Sequence, residues 1–320
     1  MEPDRAVKHQ MRVLVTGGAG FIGSHVVDHL LAAGHEVVVL DDLSTGFRTN
    51  LPLEAIDFVE GSVCDWPLVN ELVHTANSIV HLAALVSVPK SIEEPRFSSS
   101  TNITGTVNVL DAARLAGLKR VVCASSAAVY GQSSAPVQKE TDLCRPLSPY
   151  GVEKLADEGY ATAFNACYGM QNLSLRFFNI FGPRQLPDHD YAAVIPKFIA
   201  KALKNEELTI DGDGMQTRDF VYVHDVADVL TNLATNVYPT EASIFNLAYG
   251  SVLSVKELAD LIIQSLNSSS MTSFGPERVG DIKHSRGDAS RLHALLPELR
   301  ATSFEQGIAA TAAWLKAALH

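Results

Sequence analysis

Three side chains in this sequence have the types and spacing for proton transfer at a hydroxyl: Ser126, Tyr150 and Lys154. A phenol is a weak base at neutral pH. Bringing one there takes ~3 pKa units, or ~4 kcal/mol. An ammonium ~4 Å away supplies about that much at an effective dielectric of ~20. Tyr150 and Lys154 stand four positions apart, so on a helix they share one face. Pro149 suits a first helical turn, and the pattern predicts a helix over 149–168. Ser126 follows an apolar strand over 119–125 and lies 24 residues before the tyrosine. From there its hydroxyl can bond the same substrate oxygen. A tyrosine and a lysine on one helix face are also common surface residues, so the rest of the chain has to decide.

The deciding stretch is Val13 to His25, VLVTGGAGFIGSH, with glycines at 17, 18, 20 and 23. A strand leads into the glycines and an apolar helical stretch follows at once. Glycine permits the sharp turn, brings backbone amides up to a pyrophosphate and lets helix and strand pack closely. The helix N-terminus then faces the anion. A second strand, 36–40, ends in Asp41, 18 residues after Gly23. That is close to the ~20 expected of a carboxylate that binds ribose hydroxyls.

These motifs need a parallel α/β scaffold, and the chain supplies one. Strands are predicted over 11–16, 36–40, 56–59, 78–82, 119–125 and 171–177. Helices are predicted over 21–33, 66–75, about 94–117 and 149–168. Strict alternation of this kind marks βαβ units. The expected fold is a Rossmann-type doubly wound parallel sheet with a smaller C-terminal substrate domain. Residues 1–178 are read as the dinucleotide-binding domain, with 1–10 a loose tail, and 179–320 as the substrate domain. Further helices are predicted near 192–204, 224–237, 254–267 and 303–319. Some later segments, about 220–248, are candidates to return to the sheet, with Phe220–Val223 and Ile244–Ala248 foremost.

Composition narrows the partners. The 320 residues are 47% hydrophobic, enough for a sizeable core. A net charge of −11 and a pI near 5.4 argue against a nucleic-acid surface. The four cysteines show no Cys-x-x-Cys spacing, and the eleven histidines show no metal-ligand spacing. No apolar run approaches the ~18 residues of a membrane span, and the first ten residues lack a signal-peptide core. The expectation is a cytoplasmic protein that binds no metal, nucleic acid or membrane.

The sequence resembles the extended short-chain dehydrogenases/reductases, within the NAD-dependent sugar-nucleotide epimerase/dehydratase family. The resemblance runs from Met11 to about Trp314. It is carried by TGGAGFIGSH, LDDLSTG, HLAA, SSAAVYG, SPYGVEK, RFFNIFGPRQ, TRDFVYVHD and PERVGDI. It implies NAD as cofactor, Ser126, Tyr150 and Lys154 as the catalytic set, and a homodimer formed through helices at about 94–117 and 149–168. By resemblance the cofactor also meets Gly17, Gly20, Phe21, Ile22, Gly23, Asp41, Asp42, Ser62, Val63, Leu82, Ala83, Ala84 and Phe177. The implied substrate is a UDP-sugar at Ser87, Asn179, Val194, Arg218, Arg278, Asp281 and Ser285. Arginine suits a diphosphate because its planar fork donates two parallel bonds. Two departures concern the cofactor: Ser62 stands where many members have Asp, and Val86 where glucose-type epimerases often have Lys.

Dehydratases of the family carry an Asp-Glu pair after the serine. Here Ala127 and Ala128 follow it. Alanine transfers no proton, so the resemblance points to epimerisation at C4. SVPKS at 87–91 and the segment 191–196 are similar to epimerases of UDP-N-acetylhexosamines. In the family the position seven after the phosphate-binding Arg278 gates the sugar pocket, and it is Ser285 here. A small gate leaves room for an acetamido group. Two other readings stay open: an epimerase of UDP-uronic acids, with Lys90 or Arg184 facing a carboxylate, and a non-catalytic NAD-binding sensor or scaffold.

Overall fold

The computed structural model describes residues 10–133, 135–187, 193–250, 252–277 and 283–318. Runs of Val, Leu and Ile without polar alternation need a sheet covered on both faces. The chain begins with Arg12–Thr16 (β1), Phe21–Ala32 (α1), Glu36–Asp41 (β2), Asp57–Glu60 (β3), Trp66–Val73 (α2) and Ser78–His81 (β4). Val88–Glu93 (α3), Pro95–Ser99 (α4), Gly105–Leu115 (α5), Val121–Ser126 (β5), Pro149–Tyr168 (α6) and Leu173–Phe177 (β6) follow. All of β4 is buried, and so is all of β1 and β2 beyond the first residue.

The second part opens with Asn179–Phe181 (β7), Val194–Leu203 (α7), Leu208–Asp211 (β8), Thr217–Arg218 (β9) and Phe220–Tyr222 (β10). Then come Val223–Thr235 (α8), Ile244–Leu247 (β11), Leu253–Ser254 (β12), Val255–Ser265 (α9) and Thr272–Gly275 (β13). His284–Ser285 (β14), Ser290–Leu295 (α10) and Phe304–Ala318 (α11) complete the described chain.

The main sheet has seven parallel strands in the order β11-β6-β5-β4-β1-β2-β3. From β1 the chain steps outward to β2 and β3, then crosses to β4 on the other side. The order reverses between β1 and β4, which opens a crevice beyond their carboxyl ends. α1 and α8 cover one face, with Val26, Leu30, Val226 and Leu230 in that core. α2, α5 and α6 cover the other, through Val69, Val109, Leu110 and Ala161. A separate core, including Phe181, Ile199, Ile210, Leu258 and Ile308, holds the later elements together. Among the described residues no helix is long and apolar enough to cross a membrane.

Two regions depart from the sequence reading. The helix expected at about 94–117 is α4 and α5 joined by a π-helical turn, Ser100–Thr104. That turn rolls Asn102 inward, where its Oδ1 accepts the Leu85 amide at 2.7 Å and its Nδ2 donates to the Leu85 carbonyl. Of the two segments thought able to return to the sheet, Ile244–Leu247 pairs with β6 as its edge strand. Phe220–Tyr222 instead forms a two-stranded ribbon with β7.

Candidate active site at the carboxyl ends of the strands

Backbone geometry explains the glycine loop. Gly17 has φ +71°, and a Cβ there would lie 2.7 Å from the Ala83 nitrogen. A Cβ at Gly23 would run into the Gly17 carbonyl. The first glycine therefore admits the loop after β4, and the last lets α1 start tight against β1. Gly20 caps α1 without any side-chain acceptor, whereas a side-chain oxygen caps each of α2, α3, α6 and α9. The amides of Phe21, Ile22 and Gly23 belong to the first helical turn, which has no intrahelical acceptor for them. This is a cradle for an anion.

Asp41 ends β2 beside that cradle. Its two oxygens accept the Ala19 and Leu43 amides, each at 2.8 Å. It therefore pins the glycine loop to the turn after β2. Burial pushes its pKa up, and the amides of Leu43 and Ala19 pull it back. A carboxylate offers about four acceptor positions, so room for ribose hydroxyls remains. Asp42 is exposed and accepts the Ser44 amide. Leu82 and Ala83 donate their amides to the Thr16 carbonyl and hydroxyl, which sets the segment 82–84 against the end of β1. Ser62 turns its oxygen to the Cys64 amide, and Val63 is buried with its carbonyl bonded to Asn108. Phe177 closes β6.

The proton-transfer candidates meet on α6. Ser148 caps this helix through the Gly151 amide, with Pro149 in the first turn. Tyr150 and Lys154 lie on its buried face, and the Lys154 charge feels Tyr150 directly. The Tyr150 amide is held by Ser91 Oγ at 3.2 Å. Ser126 closes β5, and its Oγ accepts the Ala128 amide at 3.1 Å. The hydroxyl proton is then left for another oxygen.

Sequence reasoning missed the acidic residues around this pair. Glu153 is buried, and its Oε2 accepts from Ser98 Oγ at 2.7 Å and from Asn102 Nδ2 at 2.6 Å. Asp157 is buried too, with Oδ2 3.2 Å from Lys154 Nζ. Burial is the largest influence and would lower the lysine's pKa, but Asp157, Tyr150 and Cys123 together hold the ammonium above its usual value. Carboxylates four positions apart, on the helix that also carries Tyr150 and Lys154, were the available signal. Their partners, on α4, α5 and the π turn, were not.

Three of the C-terminal candidates, Asn179, Arg218 and Ser285, lie next to the backbone of Asp219. Arg218 and Ser285 are register partners in β9 and β14. Asn179 is bonded through both its amides to the Asp219 carbonyl, at 3.0 and 3.1 Å. The Asp219 side chain accepts the amides of Tyr249, Gly250 and Gly287 at 2.9, 2.8 and 3.2 Å. Burial pushes its pKa up to about 7, against those amides and Arg286. Ser87 caps α3 by accepting the Lys90 amide, and Val194 opens α7. Lys90 lies over the Phe97 ring, and Arg184 pairs with Asp28 at 2.7 Å. Arg278, Asp281 and the first two positions of 191–196 lie outside the described residues. Among the described residues no group of three His, Cys, Asp or Glu is placed to hold a metal ion.

The profile of the NAD-dependent epimerase/dehydratase family matches residues 13–248. The chain belongs to that family. The UDP-glucose 4-epimerase of Mycolicibacterium smegmatis is 38% identical over 307 residues, covering 94% of this chain and 97% of the relative. A UDP-N-acetylglucosamine 4-epimerase from Methanobrevibacter ruminantium, solved with UDP-N-acetylmuramic acid, superposes with TM-score 0.90 at 35% identity. That match covers 97% of this chain and 99% of the other. The UDP-glucose 4-epimerase of Thermus thermophilus, solved with NAD, gives 0.87 at 35% identity over 96% of this chain and 100% of the other. As a member of the family the protein is an enzyme, and NAD is its cofactor. The uncapped start of α1, the glycine approach and Asp41 fit a dinucleotide at the switch point.

Proposed function

We propose that this enzyme is a UDP-hexose 4-epimerase that takes N-acetylhexosamines as well as plain hexoses. One observation carries the reading. Tyr150 and Lys154 share the buried face of α6 near Ser126, and alanines occupy 127 and 128, where dehydration needs proton-transferring side chains. Bound NAD supplies the acceptor and donor of the hydride at C4. Tyr150 takes the proton of the C4 hydroxyl as the C4–H bond breaks, which leaves a 4-keto sugar. Ser126 donates to the same oxygen, and the Lys154 ammonium stabilises the phenolate. The keto sugar turns over, hydride returns to the opposite face, and Tyr150 gives the proton back. Arg218 and Asn179 are proposed to meet the substrate's phosphates, with Arg278 and Asp281. Ser87, Val194 and Ser285 are proposed to line the sugar pocket.

The test is NMR of the purified protein with UDP-glucose, UDP-N-acetylglucosamine and UDP-glucuronate in separate tubes, without added NAD. Conversion of the acetylated and plain sugars to their C4 epimers supports the reading. Turnover of the uronate alone transfers it to uronic acids, and bound NAD without any turnover makes the protein a sensor. Mass spectrometry of the denatured protein checks the cofactor, because Asp41 should repel a 2′-phosphate and leave mainly NAD.

The proposal includes a second copy of the chain as partner. Phe97, Leu115, Val152, Tyr160 and Tyr168 stay exposed on α4, α5 and α6. Exposed apolar side chains concentrated on a few helices are the kind of surface a partner covers. Light scattering at monomer mass would overturn this part.

A further inference from the structure

A chain of hydrogen bonds runs from Ala83 through Thr16 and His81 to Thr106, beside the carboxylate that holds the lysine of α6. The Ala83 amide donates to Thr16 Oγ1 at 3.3 Å, and Thr16 Oγ1 lies 2.7 Å from His81 Nδ1. His81 Nε2 lies 3.0 Å from Thr106 Oγ1. The Thr106 hydroxyl faces the Asp157 carboxylate, and Asp157 holds Lys154. One proton arrangement satisfies every link. Thr16 gives its proton to Nδ1, His81 carries its own on Nε2 toward Thr106, and the Thr106 proton is left to face the Asp157 carboxylate. Full burial, with the Lys154 charge nearby, lowers the His81 pKa to about 3 and so keeps the ring neutral.

We propose that Asp157 is a positioning residue that keeps Lys154 charged and aimed along α6, and so sets the pH range over which Tyr150 works. The inference rests on the assignment of Tyr150 and Lys154 as base and supporting cation. The titratable groups that face this pair are few. Tyr150, Glu153 and Asp157 come from α6, His81 from β4 and Cys123 from β5. His81 is neutral, and burial pushes the Cys123 thiol up to about 12. Glu153 is taken up by Ser98 and Asn102. Asp157 is therefore the carboxylate in direct contact with the ammonium.

The sign follows from charge. Removing one negative group beside the Tyr150–Lys154 pair makes each proton loss from the pair easier. Both limbs of the pH–kcat/KM profile should move toward acid in Asp157→Asn, by about one pH unit or more at contact distances. Asp157→Glu restores the charge and should return both limbs, whatever it does to kcat. A second readout needs no substrate. In NAD-loaded protein, the ultraviolet phenolate signal that disappears in Tyr150→Phe should titrate at lower pH in Asp157→Asn. Thr106→Val removes the hydroxyl that supports Asp157, keeps the side-chain shape, and should shift the same signal less and in the same direction. It decides the matter if Asp157→Asn does not fold.

A uniform fall in kcat with limbs and phenolate midpoint in place, or a shift toward alkali, overturns the proposal. Wild-type protein inert toward every UDP-sugar, yet with a phenolate midpoint that moves in Asp157→Asn, overturns the epimerase reading and leaves this one standing.

Discussion

Helix α6 and the region around β9 and β14 position chemistry in opposite ways. On α6 a single element of 20 residues carries Tyr150, Glu153, Lys154, Asp157 and Glu158, and all five are buried. Helical geometry fixes their spacing, and hydrogen bonds from neighbouring elements hold the side chains of Glu153 and Glu158. Around β9 the candidate groups sit on strands of two residues. Such strands have almost no stability of their own. Their placement depends on Asp219, which gathers amides from residues 249, 250 and 287. Damage on α6 should therefore appear as lost chemistry at intact affinity. Damage at the Asp219 hub should appear as lost substrate binding and lost stability together.

Tyr150→Phe gives the largest expected effect. The ring stays and the phenol goes, so the melting temperature should hardly change. Turnover should fall ~10²–10⁴-fold, the usual range for general acid–base catalysis. Near-normal turnover in this variant would remove the premise that α6 carries the chemistry.

Asp219→Ala comes next. It leaves three amides without an acceptor, one buried and two half-buried, and a buried one costs ~1–3 kcal/mol when orphaned. Denaturant unfolding should show a loss of several kcal/mol, and KM for the UDP-sugar should rise. A variant that loses turnover while stability and KM hold would make the hub a second catalytic centre and erase the contrast.

Ser285→Tyr probes the same region without disturbing the hub. A ring at this position should exclude the acetamido group that sweeps through the pocket as the sugar turns. A clash of ~3 kcal/mol is more than a hundredfold in kcat/KM on the acetylated pair, with the plain hexoses largely spared. Equal losses on both pairs would show that 285 is not the gate.

The smallest effect is a pH slope. His81 is buried and neutral, with its pKa lowered from 6.5 to about 3. The unfolded chain binds that proton more readily than the folded one between these values. Stability is therefore complete above about 6.5 and falls as the solution is acidified toward 3. One such group contributes a slope of up to ~1.4 kcal/mol per pH unit. His25, also buried and lowered to about 3 by burial, adds its own. Chemical denaturation across this window should give a shallower slope for His81→Gln than for the wild type. An unchanged slope would mean that the network beneath α6 does not depend on a neutral ring.

The local patterns were legible because each sits within one or two elements. The glycine spacing, the aspartate at the end of β2, and tyrosine and lysine one helical turn apart after Pro149 all obey short-range geometry. β1, β2 and β4 could be read from unbroken apolar runs. The π turn after α4 could not. Its gain is the bond from Asn102 to Leu85 and Glu153, 17 and 51 residues away. The same holds for α6's second buried pair, Glu158 with Arg176 at 2.9 and 2.8 Å, which looks like an ordinary surface charge in the sequence.

The sequence by itself determined the sheet, the nucleotide cradle and the residues proposed for proton transfer, because these follow from periodicity, glycine sterics and residue chemistry. Tertiary structure decided the electrostatics. It set which carboxylate holds Lys154, that His81 is neutral, and that Arg218 and Ser285 lie side by side next to Asp219. It also placed Ile244–Leu247 at the edge of the main sheet and Phe220–Tyr222 outside it. The physical reason is range. A carboxylate's charge and bonding depend on what burial brings within about 3 Å of it, and partners reach Glu153 from 51 and 55 residues away and Asp219 from 30, 31 and 68.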